Sequence, residues 1–174
     1  MPFTLFHLGP GMVFKAVLQQ RFSIISFAIA QVAMDIEPLV GMIRGAERLH
    51  GITHTYLAAI LIAVPVALFT PIVCRPLLRR WQHEVIYYQL PWVLTPLQFT
   101  PIAVINGAWL GTLSHVLLDS VMHSEMTPLA PWVMNNTIYH WLSITALHHL
   151  CIISGLLGLT GWLWWQWWQF RRNG

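Results

Sequence analysis

Gly111-Thr112-Leu113-Ser114-His115-Val116-Leu117-Leu118-Asp119-Ser120-Val121-Met122-His123 is the stretch on which the reading of this chain turns. Wound as a helix, it places His115, Asp119 and His123 at i, i+4 and i+8, within an arc of roughly 80° on one face. Two imidazoles and a carboxylate on one stripe of an otherwise apolar helix make half of a metal site. The same stripe would also arise if neighbouring helices simply satisfied its polar groups.

The surroundings of that helix follow from composition. The chain has 174 residues, of which 56% are hydrophobic and only 9% charged, and its mean hydropathy is +0.60. A soluble domain carries about 25% charged residues. The expectation is therefore a single integral membrane domain over 1–174, all-α, built as a polytopic bundle of about five helices. Ten tryptophans suit the aromatic belts of such a protein. The formal charge of +3 is no nucleic-acid footprint, because the nine basic residues serve better as topology markers. Cys74 and Cys151 sit in apolar runs and are expected as buried thiols. The N-terminus lacks the basic n-region of a cleavable signal peptide.

Outward from the central stretch, the spans come in order. Residues 3–19 predict a short helix, with Thr4 as a cap and Pro10 between two glycines as a kink. At roughly 15 residues it is short for a span, which needs about 20. Gln19, Gln20 and Arg21 make a turn, and residues 22–34 return as a second short helix to Asp35-Ile36-Glu37-Pro38. Pro38 disfavours helix at Glu37, so both acids are expected where the helix stops. A polar loop over 38–51 carries Arg44, Glu47 and Arg48, and His50 and His54 open an apolar span to Cys74. Arg75, Arg79 and Arg80 begin an amphipathic piece to about Tyr88, expected to lie in the interface. Pro91, Pro96 and Pro101 punctuate a connector to the central span, 101–123. After a loop over 124–139, the last span runs from about 140 to 168 and ends in a tryptophan-rich anchor before Arg171 and Arg172.

Topology then gathers the polar residues. Lys15, Arg21, Arg75, Arg79, Arg80, Arg171 and Arg172 fall at one end of alternating spans, leaving Arg44 and Arg48 at the other. The positive-inside rule makes the seven-residue end cytoplasmic, which predicts a bacterial inner membrane protein with its polar cluster toward the opposite face. His7, Asp35, Glu37, His50, His54, His115, Asp119, His123 and His140 all land at or below that opposite face. Ionisable groups in a bilayer are costly unless paired or metal-bound, so their convergence argues for function. His7, Asp35, His50, His54, His115, Asp119 and His123 are the candidate metal ligands. His140, His148 and His149, placed on the last span, are read as core or supporting residues. Ser114, Thr53 and Thr55 are read as hydrogen-bonding either ligands or helix backbone.

The motifs also carry a resemblance. Met1-Pro2-Phe3-Thr4 with His7, the Asp35-x-Glu37 pair, Leu49-His50-Gly51 with His54-Thr55, and Ser114-His115-x-x-Leu118-Asp119-Ser120 with His123 and Pro128-Leu129 resemble the predicted membrane-bound metal-dependent hydrolases of bacteria and archaea. Many members of that family have Pro before the first acid, Asp where Glu37 stands, and His-Arg-Gly where this chain has Leu49-His50-Gly51. The His-x-x-x-Asp arrangement also looks like zinc-dependent phospholipase C, which by analogy suggests phosphoester chemistry.

Together these readings predict hydrolysis of a phosphoester or other ester bond, in a lipid for instance, by metal-activated water. Imidazole and carboxylate ligands suit one or two Zn²⁺ ions, with Mn²⁺ or Fe²⁺ as alternatives. Asp35 and Glu37 are the candidate catalytic carboxylates, and Arg44 or Arg48 could pair with a phosphate. Two other classes remain open at this point: a metal or haem carrier without hydrolytic activity, and a membrane adaptor whose polar cluster is structural.

Overall fold

The computed structural model describes residues 5–89 and 99–173. The Met1-Pro2-Phe3-Thr4 segment, with Thr4 as a cap, and the connector prolines Pro91 and Pro96 lie outside them. The described residues are all-helical. A 3₁₀ turn over Leu5–Leu8 leads into α1 (Gly9–Leu18), followed by α2 (Ile24–Met34), α3 (Ile36–Ile43), α4 (Tyr56–Tyr87), α5 (Pro101–Met122) and α6 (Ile144–Asn173). Four stretches are long and apolar enough to cross a membrane: Ile24–Ile43, Tyr56–Tyr87, Pro101–Met122 and Ile144–Arg172. The chain is an integral membrane protein in which the ten residues of α1, about 15 Å long, fall short of a span.

Local chemistry explains most boundaries. Ser23, Thr55 and Thr100 cap α2, α4 and α5, each accepting from the backbone N–H three residues on. Lys15 Nζ donates to the carbonyls of Gln19 and Phe22 at 2.9 and 3.1 Å, satisfying acceptors in the turn between α1 and α2.

Four expectations need correction. Pro10 does not kink α1 but sits in its first turn, where a missing N–H is not needed. Pro38 likewise does not end a helix. The break comes at Asp35, and Pro38 occupies the first turn of α3, so the loop expected over 38–51 begins only after Ile43. The basic stretch after Cys74 is no separate interfacial helix but the last turns of α4. At 32 residues that helix is about 48 Å long, more than the roughly 30 Å of hydrocarbon. His140 is an exposed loop residue, because α6 starts only at Ile144. Both cysteines are buried free thiols, as expected.

Packing depends on small residues. α5 runs parallel to α2, and Gly107 and Gly111 face it. A Cβ on Gly111 would lie 2.6 Å from the Ala30 side chain, and one on Gly107 would strike the backbone at Ser23. This is the small-xxx-small approach of membrane helices. It lets Ser26 Oγ donate to Val104 O at 2.9 Å and Gln31 Nε2 to Gly111 O at 3.0 Å. α4 packs antiparallel to α5 and against α2 as well, with Ala59, Ala63 and Val66 meeting Val116 and Ala108 of α5 and Ala30 and Met34 of α2. α1 lies along α6, where Gly158 meets the backbone of Met12 and Val13. The outer faces of α4 and α6 expose Leu61, Leu68, Leu156 and Leu157, as lipid contact requires. At the end of α6, Arg171 and Arg172 stack over Trp167 and Trp168 at 4.6 and 4.5 Å.

Gly→Ala in a helix interior is ordinarily stabilising by about 1 kcal/mol. Gly158→Ala should instead destabilise by roughly 1–3 kcal/mol, because its new methyl meets backbone that cannot yield. Gly161→Ala, whose Cβ would sit at 3.8 Å from Ala16, should not. Thermal unfolding in detergent separates the two, and equal midpoints would refute the α1–α6 packing.

Candidate metal centre

The site forms where α2, α3, α4 and α5 end together, and Asp119 on α5 is its middle. Asp119 is 3% exposed. Its Oδ2 lies 3.1 Å from His115 Nε2 and 3.7 Å from the Nε2 atoms of both His54 and His50, while Oδ1 lies 3.5 Å from His7 Nε2. Asp35, at the break between α2 and α3, brings Oδ1 to 3.6 Å from His115 Nε2. Ligand atoms of Asp35, His54, His115 and Asp119, all four buried, lie within 4.8 Å of one another.

The outward nitrogens fix the tautomers. Gln31 Nε2 donates to the Gly111 carbonyl, so its Oε1 is the acceptor presented to His115 Nδ1 at 2.8 Å, and Nδ1 carries the hydrogen. His50 Nδ1 donates to Glu125 Oε1 at 2.9 Å. His54 Nδ1 faces Glu37 Oε2 at 3.5 Å and Thr53 Oγ1 at 3.1 Å. With hydrogens on all three Nδ1 atoms, neutral imidazoles aim their Nε2 lone pairs at two carboxylates. Lone pairs and anions converging in a buried space repel unless a cation or proton lies between them. The Nε2 atoms of His54 and His115 and both nitrogens of His7 are buried without a hydrogen-bond partner. Burial pushes His7 and His54 down to about 4, with neighbouring imidazoles adding to the shift, so neither supplies a second proton at neutral pH. The donor set and its orphaned nitrogens therefore fit a divalent metal ion. The outward Nδ1–H contacts are those that orient metal-bound histidines.

Of the expected ligands, His7, Asp35, His50, His54, His115 and Asp119 meet here. His123 stands one ring away. It stacks on His50 at 3.9 Å and lies 3.9 Å from Glu125 Oε1, forming a neighbouring group of His50, His123 and Glu125. Glu37, expected as a catalytic carboxylate, is engaged as a clamp. Its Oε2 accepts from the N–H groups of Gly51 and Thr53 at 3.2 and 3.1 Å and from the Thr53 hydroxyl. That grip shapes the Gly51–His54 turn. His148 packs tilted against Phe6 at 4.4 Å, near His7 but not among the converging ligands, and exposed His140 stacks on Tyr139 at 4.0 Å. Thr55 caps α4, whereas Ser114 Oγ donates to Gly111 O of its own helix and accepts from Gln31 Nε2 at 3.3 Å, so it helps hold the residue behind His115.

Two supporting residues escaped the sequence reading. Gln31 lies four residues before Asp35, and a polar pair at that spacing on an apolar helix was the available signal. Glu125 follows His123 by two residues in the loop after α5, whose course no periodicity reveals. That loop is held by Asn136, which donates to Ser120 O at 2.7 Å and His123 O at 2.9 Å and so satisfies the last carbonyls of α5. Burial raises Glu125, but the hydrogen bond from His50, that of its own backbone amide and the nearby His50 and His123 rings together keep its carboxyl below the usual range.

Fold and site together define a class: a polytopic helical membrane protein with a buried His/Asp centre at one end of its bundle. A family model described as a domain of unknown function, DUF4184, matches residues 1–173, and the chain belongs to that family. No curated protein and no solved structure matches it.

Two outcomes follow. Gln31→Leu removes the acceptor at His115 Nδ1 and should weaken metal affinity roughly 10–100-fold, while His115→Ala should abolish binding. Metal analysis after purification reads both, and unchanged content in both would refute the centre. The metal-free protein should also be acid-sensitive. His7 and His54 are depressed from 6.5 to about 4 when folded, so their neutral forms leave stability intact above pH 6.5. Below that, the unfolded chain gains protons that the folded one refuses, and stability should fall as pH drops from 6.5 toward 4. A flat denaturation midpoint across that window would contradict their burial as neutral bases.

Proposed function

We propose that the chain is a membrane-embedded metal-dependent hydrolase that cleaves a phosphoester or related ester bond. The observation that carries this reading is the convergence of Nε2 atoms from His7, His50, His54 and His115 on Asp119, three of them with Nδ1 already committed to an acceptor.

Asp35, His54, His115 and Asp119 would hold the ion, with His7 and His50 flanking it. Zn²⁺ suits this nitrogen–oxygen set best, and Mn²⁺ or Fe²⁺ also fit. A bound divalent ion supplies Lewis acidity and lowers the pKa of water. The chain's own residues do the rest. Asp35, holding the ion through one carboxylate oxygen beside His115 Nε2, would accept the proton released by the attacking water on its other oxygen. Glu37 positions His54 and the Gly51–His54 turn. Gln31 and Glu125 fix His115 and His50 as Nε2 donors to the ion. The charge bias favours the inner membrane of a bacterium, with the site facing away from the cytoplasm.

Purified protein should contain metal and hydrolyse phosphodiester or lipid-ester probes. A chelator should abolish turnover, and Zn²⁺ should restore it. Asp119→Asn should lower activity by more than about 100-fold with the helical content retained, exceeding the loss typical of a supporting residue. Full activity in metal-free protein or in Asp119→Asn would overturn the proposal.

A further inference from the structure

Beside the metal centre lies a groove of about 700 Å³, within the roughly 300–1,000 Å³ of ordinary ligand sites. One wall is a single face of α2–α3, with Ile29, Ala33, Ile36 and Val40 at helical spacing. The other is a face of α4 carrying Ile62, Val66 and Phe69. At helical rise, Ile29 to Val40 spans about 16 Å, half of a hydrocarbon core roughly 30 Å thick. The groove is thus about one leaflet long. Ile36, Val40 and Phe69 are exposed, so it opens sideways on the bundle surface, where lipid would lie.

Its end toward the metal centre is polar and basic. Arg44 and Arg48 line the mouth, together with Glu37, Gly51 and Thr53. Arg48 is steadied there by donating Nη2–H to Glu125 O at 2.7 Å. Glu47, between the arginines in sequence, is exposed and not part of the lining. The other described Lys and Arg side chains lie at the opposite end of the bundle, where charge bias alone accounts for them. Arg44 and Arg48 have no such topological reason. Glu37 belongs to both places: it lines the groove, and its Oε2 faces His54 Nδ1 of the metal centre.

We infer that the substrate class is a phospholipid, held with one acyl chain in the groove between α2–α3 and α4 and its phosphate against Arg44 and Arg48. This rests on the hydrolase reading for why a lipid should be held there, but not for whether it is held. Guanidinium groups recognise phosphate by charge-assisted hydrogen bonds. A chain seated along the groove leaves the ester linkages of the head group beside Glu37 and the buried cluster. The apolar walls fix the lipid by its tail, and the arginine pair fixes which lipid.

The test incubates full-length protein in micelles doped with equal phosphatidylglycerol and diacylglycerol, and reads retained lipid by native mass spectrometry. Phosphatidylglycerol should be retained preferentially. Arg44→Ala with Arg48→Ala should lower that preference roughly tenfold, the effect of losing a charge-assisted contact. Ala33→Trp or Val40→Trp should block the groove and remove both lipids. Val40 is exposed, so its variant decides the matter should Ala33→Trp fail to fold. Lipid retention unchanged in Val40→Trp, or equal retention of the two lipids by the parent protein, overturns the inference. An altered elution volume of Val40→Trp with lipid retention intact would mark the groove as a contact between two copies, which also overturns it. Metal content is measured on the same samples. Absent metal with the lipid pattern intact would end the hydrolase reading and leave the lipid site standing.

Discussion

A carboxylate taken out of water at the end of a membrane helix must be compensated, and much of this structure is arranged around that demand. Asp119 is met by imidazoles delivered from the Leu5–Leu8 turn, the segment before α4, and α5 itself. Burying even one unpaired ion costs several kcal/mol. The imidazoles in turn spend their outer nitrogens on Gln31, Glu37 and Glu125. His50, His54 and His115 are each held by a residue behind them, and Gln31 and Glu37 in turn by backbone, Gln31 at the Gly111 carbonyl and Glu37 at the Gly51 and Thr53 amides. Such two-layer support is what a metal centre needs and what a merely satisfied polar core does not.

The compensation works only because α2 can approach α5 closely. Gly107 and Gly111 remove the side chains that would hold the two backbones apart. Their spacing of four places both on the face that meets α2. Gln31 and Asp35, also four apart, then fall opposite Gly111, Ser114 and His115. Glu37, two residues after Asp35, points about 200° around from it, so it reaches the Gly51–His54 turn while Asp35 meets His115.

Much of this was legible in the sequence for simple reasons. Hydropathy and the 3.6-residue period located the spans, and alternation of spans with basic residues at one end put His7, Asp35, His54, His115 and Asp119 together. What stayed hidden was what periodicity does not encode. Pro38 read as a stop because its restriction on the preceding residue is local. The helix does stop after Met34, but it restarts at once as α3 with that proline in its first turn. Glu125 and the Asn136 cap belong to an irregular loop whose path is set by hydrogen bonds to the end of α5. His140 read as part of the last span because its apolar neighbours resemble helix, whereas its own backbone leaves that conformation at a φ of 62°.

Depth in the membrane ties the centre to the groove. α5 is 22 residues, about 33 Å, close to the thickness of a hydrocarbon core. Asp119 lies three residues from its end, so the cluster sits about 5 Å inside that end, near the boundary between acyl chains and head groups. Ester and phosphoester linkages of a lipid occupy that level, whereas its methylenes lie deeper. Ile29 and Phe69, at the end of the groove away from the arginines, are at the depth of chain ends. Under this reading selectivity has two independent parts. The groove's length measures the lipid against one leaflet, and the arginines at its mouth set the head group against the ion. A water-soluble phosphoester could satisfy only the second, which makes the apolar wall, rather than the metal ligands, the feature that separates a lipid enzyme from a general phosphodiesterase.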